Sequence, residues 1–133
     1  MQITRQADYA VRAVLYVSRL GPGGRAPVVQ IARAQKLPVN FLHKIVAQLS
    51  AAGLVHTKRG RHGGVALTRP ADEISLLEIV EAIDGPLRLS ACTLDPSTCT
   101  MSDDCVVRVI WCQARAELAR RLSLTKCGDL LGR

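Results

Sequence analysis

The sequence predicts a mainly α-helical fold carrying one small β-hairpin, and three observations predict it. Two short helical stretches, residues 28–34 and 39–52, flank a tight turn at Gln35-Lys-Leu-Pro38. Two β-prone runs flank a tip rich in glycine and cations within Leu54–Thr68. Near the C-terminus an apolar stripe, Val107, Trp111, Ala114, Leu118 and Leu122, recurs every three or four residues. Helix, turn, helix and hairpin in that order are the pattern of a winged helix-turn-helix domain, here extended by one long helix.

Each element has a local cause. Thr4 can cap a first helix running to about Leu20, with Ala7, Ala10, Val11, Val14, Leu15 and Ser18 on one face, and Gly21-Pro-Gly-Gly24 stops it. Pro27 stands near the start of the second helix, and Pro38 suits the start of the third. That third helix, from Val39 to about Ala52, takes its apolar stripe from Phe41 or Leu42, Ile45, Val46 and Leu49, with Gly53 as its stop. Its leading residues, Val39, Asn40, Phe41, His43 and Lys44, occupy the place from which a recognition helix enters the major groove. Asn40 suits an adenine edge, and Lys44 a guanine or a phosphate.

In the hairpin, Lys58 can reach phosphate, while Arg59, Arg61 and His62 suit a narrow minor groove. Arg69 is read with them, and His56 is assigned to its strand. A charge run is usually a solvated face; its position on a wing after a helix-turn-helix favours duplex DNA. Ser75-Leu-Leu-Glu78 is a capping box opening a helix that Gly85-Pro86 ends. Ser102 or Asp103 can cap the last long helix. Its stripe lies outside the winged domain and has little in the chain to pack against, which predicts a homodimer suited to palindromic half-sites. The expected division is a winged domain at 1–85, a cysteine loop at 86–105, and a dimerisation helix with its tail at 106–133.

The totals agree. A chain of 133 residues, 48% hydrophobic, has room for one domain with a modest core. Residues 1–70 hold eleven Lys and Arg against one acid, a net +10, and residues 71–133 hold seven against ten, a net −3. Such asymmetry joins a polyanion-binding half to a mildly acidic one. Aromatics at 3% supply no stacking platform for single strands. No apolar run approaches the roughly 20 residues needed to span a bilayer, and the first residues lack a signal peptide's apolar block, so a cytoplasmic location with no membrane partner is expected.

Five cysteines in a reducing compartment are more often metal ligands or redox sensors than disulfides. Cys92, Cys99 and Cys105 fall within fourteen residues of polar, turn-rich sequence, with six and five residues between them. These spacings let a loop wrap an iron-sulfur cluster. Zinc and cluster-free thiol sensing are the other chemistries open to the trio, although the short Cys-x-x-Cys pairs that zinc prefers are absent. Cys112 stands about 10 Å along the helix from Cys105, too far to share one cluster, and is read as a packed interface residue. Cys127 is read as structural or free. His43, His56 and His62 lack a nucleophile or carboxylate at suggestive spacing, which argues against an enzyme.

At this point the chain resembles the cysteine-containing winged-helix regulators that include IscR and NsrR. The resemblance rests on Thr4-Arg-Gln-Ala-Asp-Tyr-Ala-Val-Arg-Ala13, Phe41-Leu-His-Lys-Ile45, Gly53-Leu-Val55, Arg59-Gly-Arg-His-Gly-Gly64, Ile74-Ser-Leu-Leu-Glu-Ile-Val-Glu-Ala-Ile-Asp-Gly85 and the three cysteines. It implies a homodimeric transcription regulator whose cluster is held by three loop cysteines and one other ligand, and a DNA-binding repressor or dual regulator is expected. In the NsrR-like branch, which senses nitric oxide with a 4Fe-4S cluster, that ligand is an aspartate on the first helix of the partner subunit, and Asp8 matches it. The plain reading of Asp8 is a surface ion pair with Arg5 or Arg12. The histidine three residues past the third cysteine that serves a 2Fe-2S cluster in the IscR-like branch is replaced here by Arg108, and the first-helix histidine of a related 2Fe-2S pattern by Arg12. The resemblance therefore favours 4Fe-4S over 2Fe-2S. The gap between Cys92 and Cys99 is one residue longer than is common in the family. Two other readings stand beside it: a cluster-free regulator controlled by thiol oxidation or a partner protein, and a small iron-sulfur electron carrier.

Overall fold

The computed structural model describes residues 3–89 and 106–132. In chain order these form α1 (Arg5–Arg19), α2 (Val28–Gln35), α3 (Val39–Ala51), β1 (Val55–Lys58), β2 (Gly64–Leu67), a 3-10 turn at Ala71–Glu73, α4 (Leu76–Asp84), α5 (Val106–Leu124) and a second 3-10 turn at Cys127–Leu130. A mainly helical chain with one two-stranded antiparallel hairpin is the fold class expected from the sequence.

Thr4 caps α1, its hydroxyl accepting the Ala7 N–H at 3.1 Å. The helix buries Ala7, Ala10, Ala13, Val14, Val17 and Ser18. Ser18 Oγ donates to the Val14 carbonyl at 2.7 Å, so the buried hydroxyl is satisfied. Ala13 and Val17 are more deeply placed than Val11 and Leu15, which stay half-buried. The cause is that α2, α3, α4, β2 and the C-terminal turn all pack on α1, so its contact surface is broader than a one-sided stripe.

Prolines at both N-caps, Pro27 and Pro38, hold the extended conformation from which α2 and α3 start. Of the two candidates for the α3 stripe, Leu42 is in the core with Ile45, Val46 and Leu49, while Phe41 remains 49% exposed. Past the end of α3, Gly53 takes φ +78°, and the Leu54 N–H donates to the Leu49 carbonyl at 3.0 Å. This left-handed stop turns the chain directly into the hairpin.

Strands β1 and β2 pair from Val55 opposite Leu67 to Lys58 opposite Gly64. A third strand position joins them: Ala26 and Val65 exchange two backbone hydrogen bonds, 3.2 and 2.8 Å long. The wing is thus tied to the segment before α2. Gly64 permits this approach, since it has φ +131° and an added Cβ would stand 2.6 Å from the Ala26 carbonyl carbon.

At the other end, Ser75 and Glu78 form the capping box of α4 as expected. The C-terminal segment returns to the same place: Leu76 N–H donates to the Thr125 carbonyl at 3.0 Å, and Cys127 N–H to the Ile74 carbonyl at 2.8 Å. Cys127 is fully buried in the core. This return draws the last part of α5 onto the rest of the chain. Leu118, Ala119 and Leu122 pack against Ala7, Val80 and Leu87, so that part of the stripe has an intrachain partner after all. Val107 and Trp111, at the other end of the stripe, remain exposed.

Two outcomes follow from these contacts. Gly64→Ala should lower stability by about 1–3 kcal/mol in urea unfolding, because the new methyl meets Ala26 backbone at a positive φ. Burial alone would raise the Glu78 carboxyl, but hydrogen bonds from the Ser75 amide and the Arg69 guanidinium, with the Arg69 charge, hold it below its ordinary value of 4.5. A lowered folded-state pKa stabilises above the unfolded value and is lost as pH falls through the folded one. The difference in melting temperature between wild type and Glu78→Gln should therefore be full at neutral pH and shrink as acidification protonates the folded-state carboxyl.

Candidate functional site

The buried residues of α3 dictate what its other face presents. With Leu42, Ile45, Val46 and Leu49 turned into the core, Val39, Asn40, Phe41, His43 and Lys44 are all exposed. Five side chains offering an amide, an imidazole, an ammonium and two apolar surfaces suit base edges and phosphates. β1 follows α3 after the Gly53 stop and packs against it, so the hairpin is carried on the same scaffold.

On the hairpin, Lys58 ends β1, and Arg59, Arg61 and His62 occupy the tip, all exposed. Val55 anchors the base of the hairpin in the core. Arg69 stands apart from this set. Its guanidinium donates to Glu78 Oε1 at 2.8 Å and to the Glu73 carbonyl at 3.0 Å, which neutralises its charge within the chain and makes it a brace for α4.

One cation near the hairpin was not legible from sequence. The Ala26–Val65 pairing brings Arg25 alongside β1, with Nη1 3.5 Å from His56 Nδ1. Both side chains are exposed. Thirty-one residues separate them, and no local pattern signals such a contact. Gln30 of α2 likewise reaches Tyr16 of α1, donating to its hydroxyl at 2.8 Å.

Asp8 lies in the first turn of α1 with its carboxylate half exposed and 2.9 Å from Arg12 Nη2. The Arg12 guanidinium also lies over the Tyr9 ring, 5.9 Å from its centroid. The neighbouring Ala7 is buried and packs in one cluster with Leu87. Leu87 is held through both peptide groups: its N–H donates to Glu81 Oε2 at 3.0 Å, and its carbonyl accepts from Arg115 Nε of α5. The chain leading to the cysteine-rich segment is therefore fastened to α4, α5 and α1 together.

Cys92, Cys99 and Cys105 lie outside the described residues, as do the proposed caps Ser102 and Asp103. Among the described residues no three His, Cys, Asp or Glu side chains converge as metal ligands. The donors expected from the sequence, three soft thiolates with the one hard carboxylate of Asp8, are a chemically fitting set for an iron-sulfur cluster. Of the described cysteines, Cys112 is half-buried on α5. Burial, with the nearby Glu78 charge, pushes the Cys127 thiol up to about 11. A neutral thiol without exposed surface is a packing group.

Comparison with known proteins agrees with this geometry. Residues 3–133 match the Rrf2 family, described as an iron-dependent transcriptional regulator. The chain is similar to Protein aau3 of Rhizobium meliloti (strain 1021), with 40% identity over 107 residues, 79% of this chain and 68% of that protein. It is also similar to the HTH-type transcriptional regulator NsrR of Shouchella clausii, with 29% identity over 132 residues, 98% of this chain and 89% of that protein. Among solved structures, CymR, the global cysteine regulator of B. subtilis, matches with a TM-score of 0.81 and 24% identity, covering 99% of this chain and 97% of that one. No helix among the described residues is long and apolar enough to cross a membrane.

The buried thiol gives a direct check on the packing. Wild type and Cys127→Ala should show equal numbers of thiols reactive toward Ellman's reagent at pH 8 when native, and differ by one in denaturant. A native difference of one would place Cys127 at the surface.

Proposed function

The chain belongs to the Rrf2 family of transcriptional regulators, and from this premise we propose that it is a homodimeric DNA-binding repressor switched by an iron-sulfur cluster of the 4Fe-4S type. The observation that carries the proposal is the donor set: three closely spaced thiols and a half-exposed first-helix carboxylate in a chain whose family is described as iron-dependent. Cys92, Cys99 and Cys105 of one subunit would hold the cluster together with Asp8 of the partner subunit. When bound, the cluster supplies an iron centre reactive toward nitric oxide and oxidants.

The chain's own residues supply the rest. Asn40 and Lys44 read or grip the major groove, with Val39, Phe41 and His43 beside them, and Lys58, Arg59, Arg61 and His62 hold the flanking backbone and minor groove. The exposed apolar start of α5, including Val107 and Trp111, meets its counterpart in the second copy. Asp8 rides on the helix whose other face seats α3, so a pull on the first turn of α1 is passed through packed side chains to the recognition helix. Rearranging two such domains requires only a few kcal/mol of differential affinity.

The test is protein purified without oxygen, examined by absorption and native mass spectrometry before and after stoichiometric nitric oxide. A brown dimer with four irons per chain that loses duplex binding on reaction is the expected result. Two irons per chain would replace 4Fe-4S with 2Fe-2S. A colourless chain that resists reconstitution and binds DNA without iron would replace the cluster with a thiol switch. Asp8→Ala should release iron at least several-fold faster than wild type, and an unchanged spectrum and nitric-oxide response would remove Asp8 from the ligands.

A further inference from the structure

Among the described residues, seven positions have a positive φ, and six of them are glycine: Gly21, Gly23, Gly53, Gly60, Gly64 and Gly85. The seventh is Lys36, at φ 56° and ψ 47°, immediately after α2. It ends the helix with a left-handed turn in which the Leu37 N–H donates to the Ala32 carbonyl at 2.8 Å. Glycine adopts this conformation freely, whereas an L side chain crowds its own backbone there. Every other such turn among the described residues uses glycine, and this one holds a lysine.

Packing does not account for the choice. Lys36 is exposed, and its ammonium has no ion-pair partner among the described residues. The favourable effect of a cation at the C-terminus of α2 is already supplied by Arg33 in the last turn. What the lysine adds is position. The following Leu37 is buried and Pro38 caps α3, so the turn is locked at both of its next residues. Lys36 thereby stands, exposed, two residues before the Pro38 cap of α3 and three and four before the exposed Val39 and Asn40 that lead it.

We propose that Lys36 is a DNA-phosphate contact that sets how α3 enters the groove, and that its strained backbone is retained for that charge. Strain held at one residue by the structure around it is a feature of binding sites. The inference rests on the DNA-binding reading of α3, and not on the cluster.

The experiment compares wild type, Lys36→Gly, Lys36→Asn and Lys36→Arg on two duplexes: one selected by the wild type from a random-sequence pool, and a scrambled duplex of equal length. Lys36→Gly should raise the melting midpoint by about 2–5 °C as the strain is relieved. The same substitution should weaken binding roughly three- to tenfold on both duplexes, and reduce the slope of log affinity against log salt by about one for each copy of Lys36 on the DNA. Lys36→Asn, which also tolerates the left-handed turn, should weaken binding equally, and Lys36→Arg should retain it. Unchanged binding by Lys36→Gly, loss confined to the selected duplex, or an equal loss in Lys36→Arg would each overturn the phosphate contact. A wild type that selects no duplex would instead overturn the DNA-binding reading, and this inference with it.

Discussion

The first helix is the constraint on which the other contacts depend. Its buried face is lined by Ala7, Ala10 and Ala13, with Val14, Val17 and Ser18 completing it. Small side chains let backbones approach closely, and α1 accordingly serves as the common surface for α2, α3, α4, β2 and the C-terminal turn. A larger residue at Ala10, which has no exposed surface, would have to displace whole elements, since interiors at this density have no free volume to absorb it. The same helix carries Asp8 on its outer side. One rigid element therefore links Asp8, the proposed cluster ligand, to the seating of α3.

Around this helix the chain is closed by contacts between segments distant in sequence. Ala26 binds the hairpin at Val65, and Thr4 binds Asp84 at the end of α4. Cys127 reaches back to Ile74, and Arg115 fastens α5 to Leu87. Glu78 concentrates several of these ties in one side chain, accepting from Ser75 and Arg69 while lying near the Cys127 thiol. Through such ties the first and last parts of the described chain share a core, and the residues next to the cysteine-rich segment are held by three helices at once.

Charge is divided along the same lines. The basic half supplies exposed cations on α3 and the hairpin, and Arg25 and Lys36 extend that set. The mildly acidic half uses several of its carboxylates internally, Glu81 on the Leu87 amide, Asp84 on Thr4 and Glu78 on Arg69. An excess of positive charge left on one surface draws in a polyanion at long range, and local hydrogen-bonding groups then decide its register.

Much of this was legible in the residues themselves. Helix starts at Thr4, Pro38 and Ser75, the stop at Gly53, the hairpin, the exposed end of α3 and the apolar stripe of α5 follow from spacing and local stereochemistry, which act over a few residues. The grouping of Cys92, Cys99 and Cys105 is likewise a property of the sequence. Only the tertiary structure decided that Leu42 rather than Phe41 enters the core, that Arg69 braces α4, that Arg25 stands against the hairpin, and that Leu118 and Leu122 pack within their own chain. It also decided that Lys36, unremarkable as a letter, holds a left-handed turn. The physical reason is the same throughout: period and capping fix which residues share a face, whereas what that face meets depends on partners tens of residues away, and no local pattern encodes them.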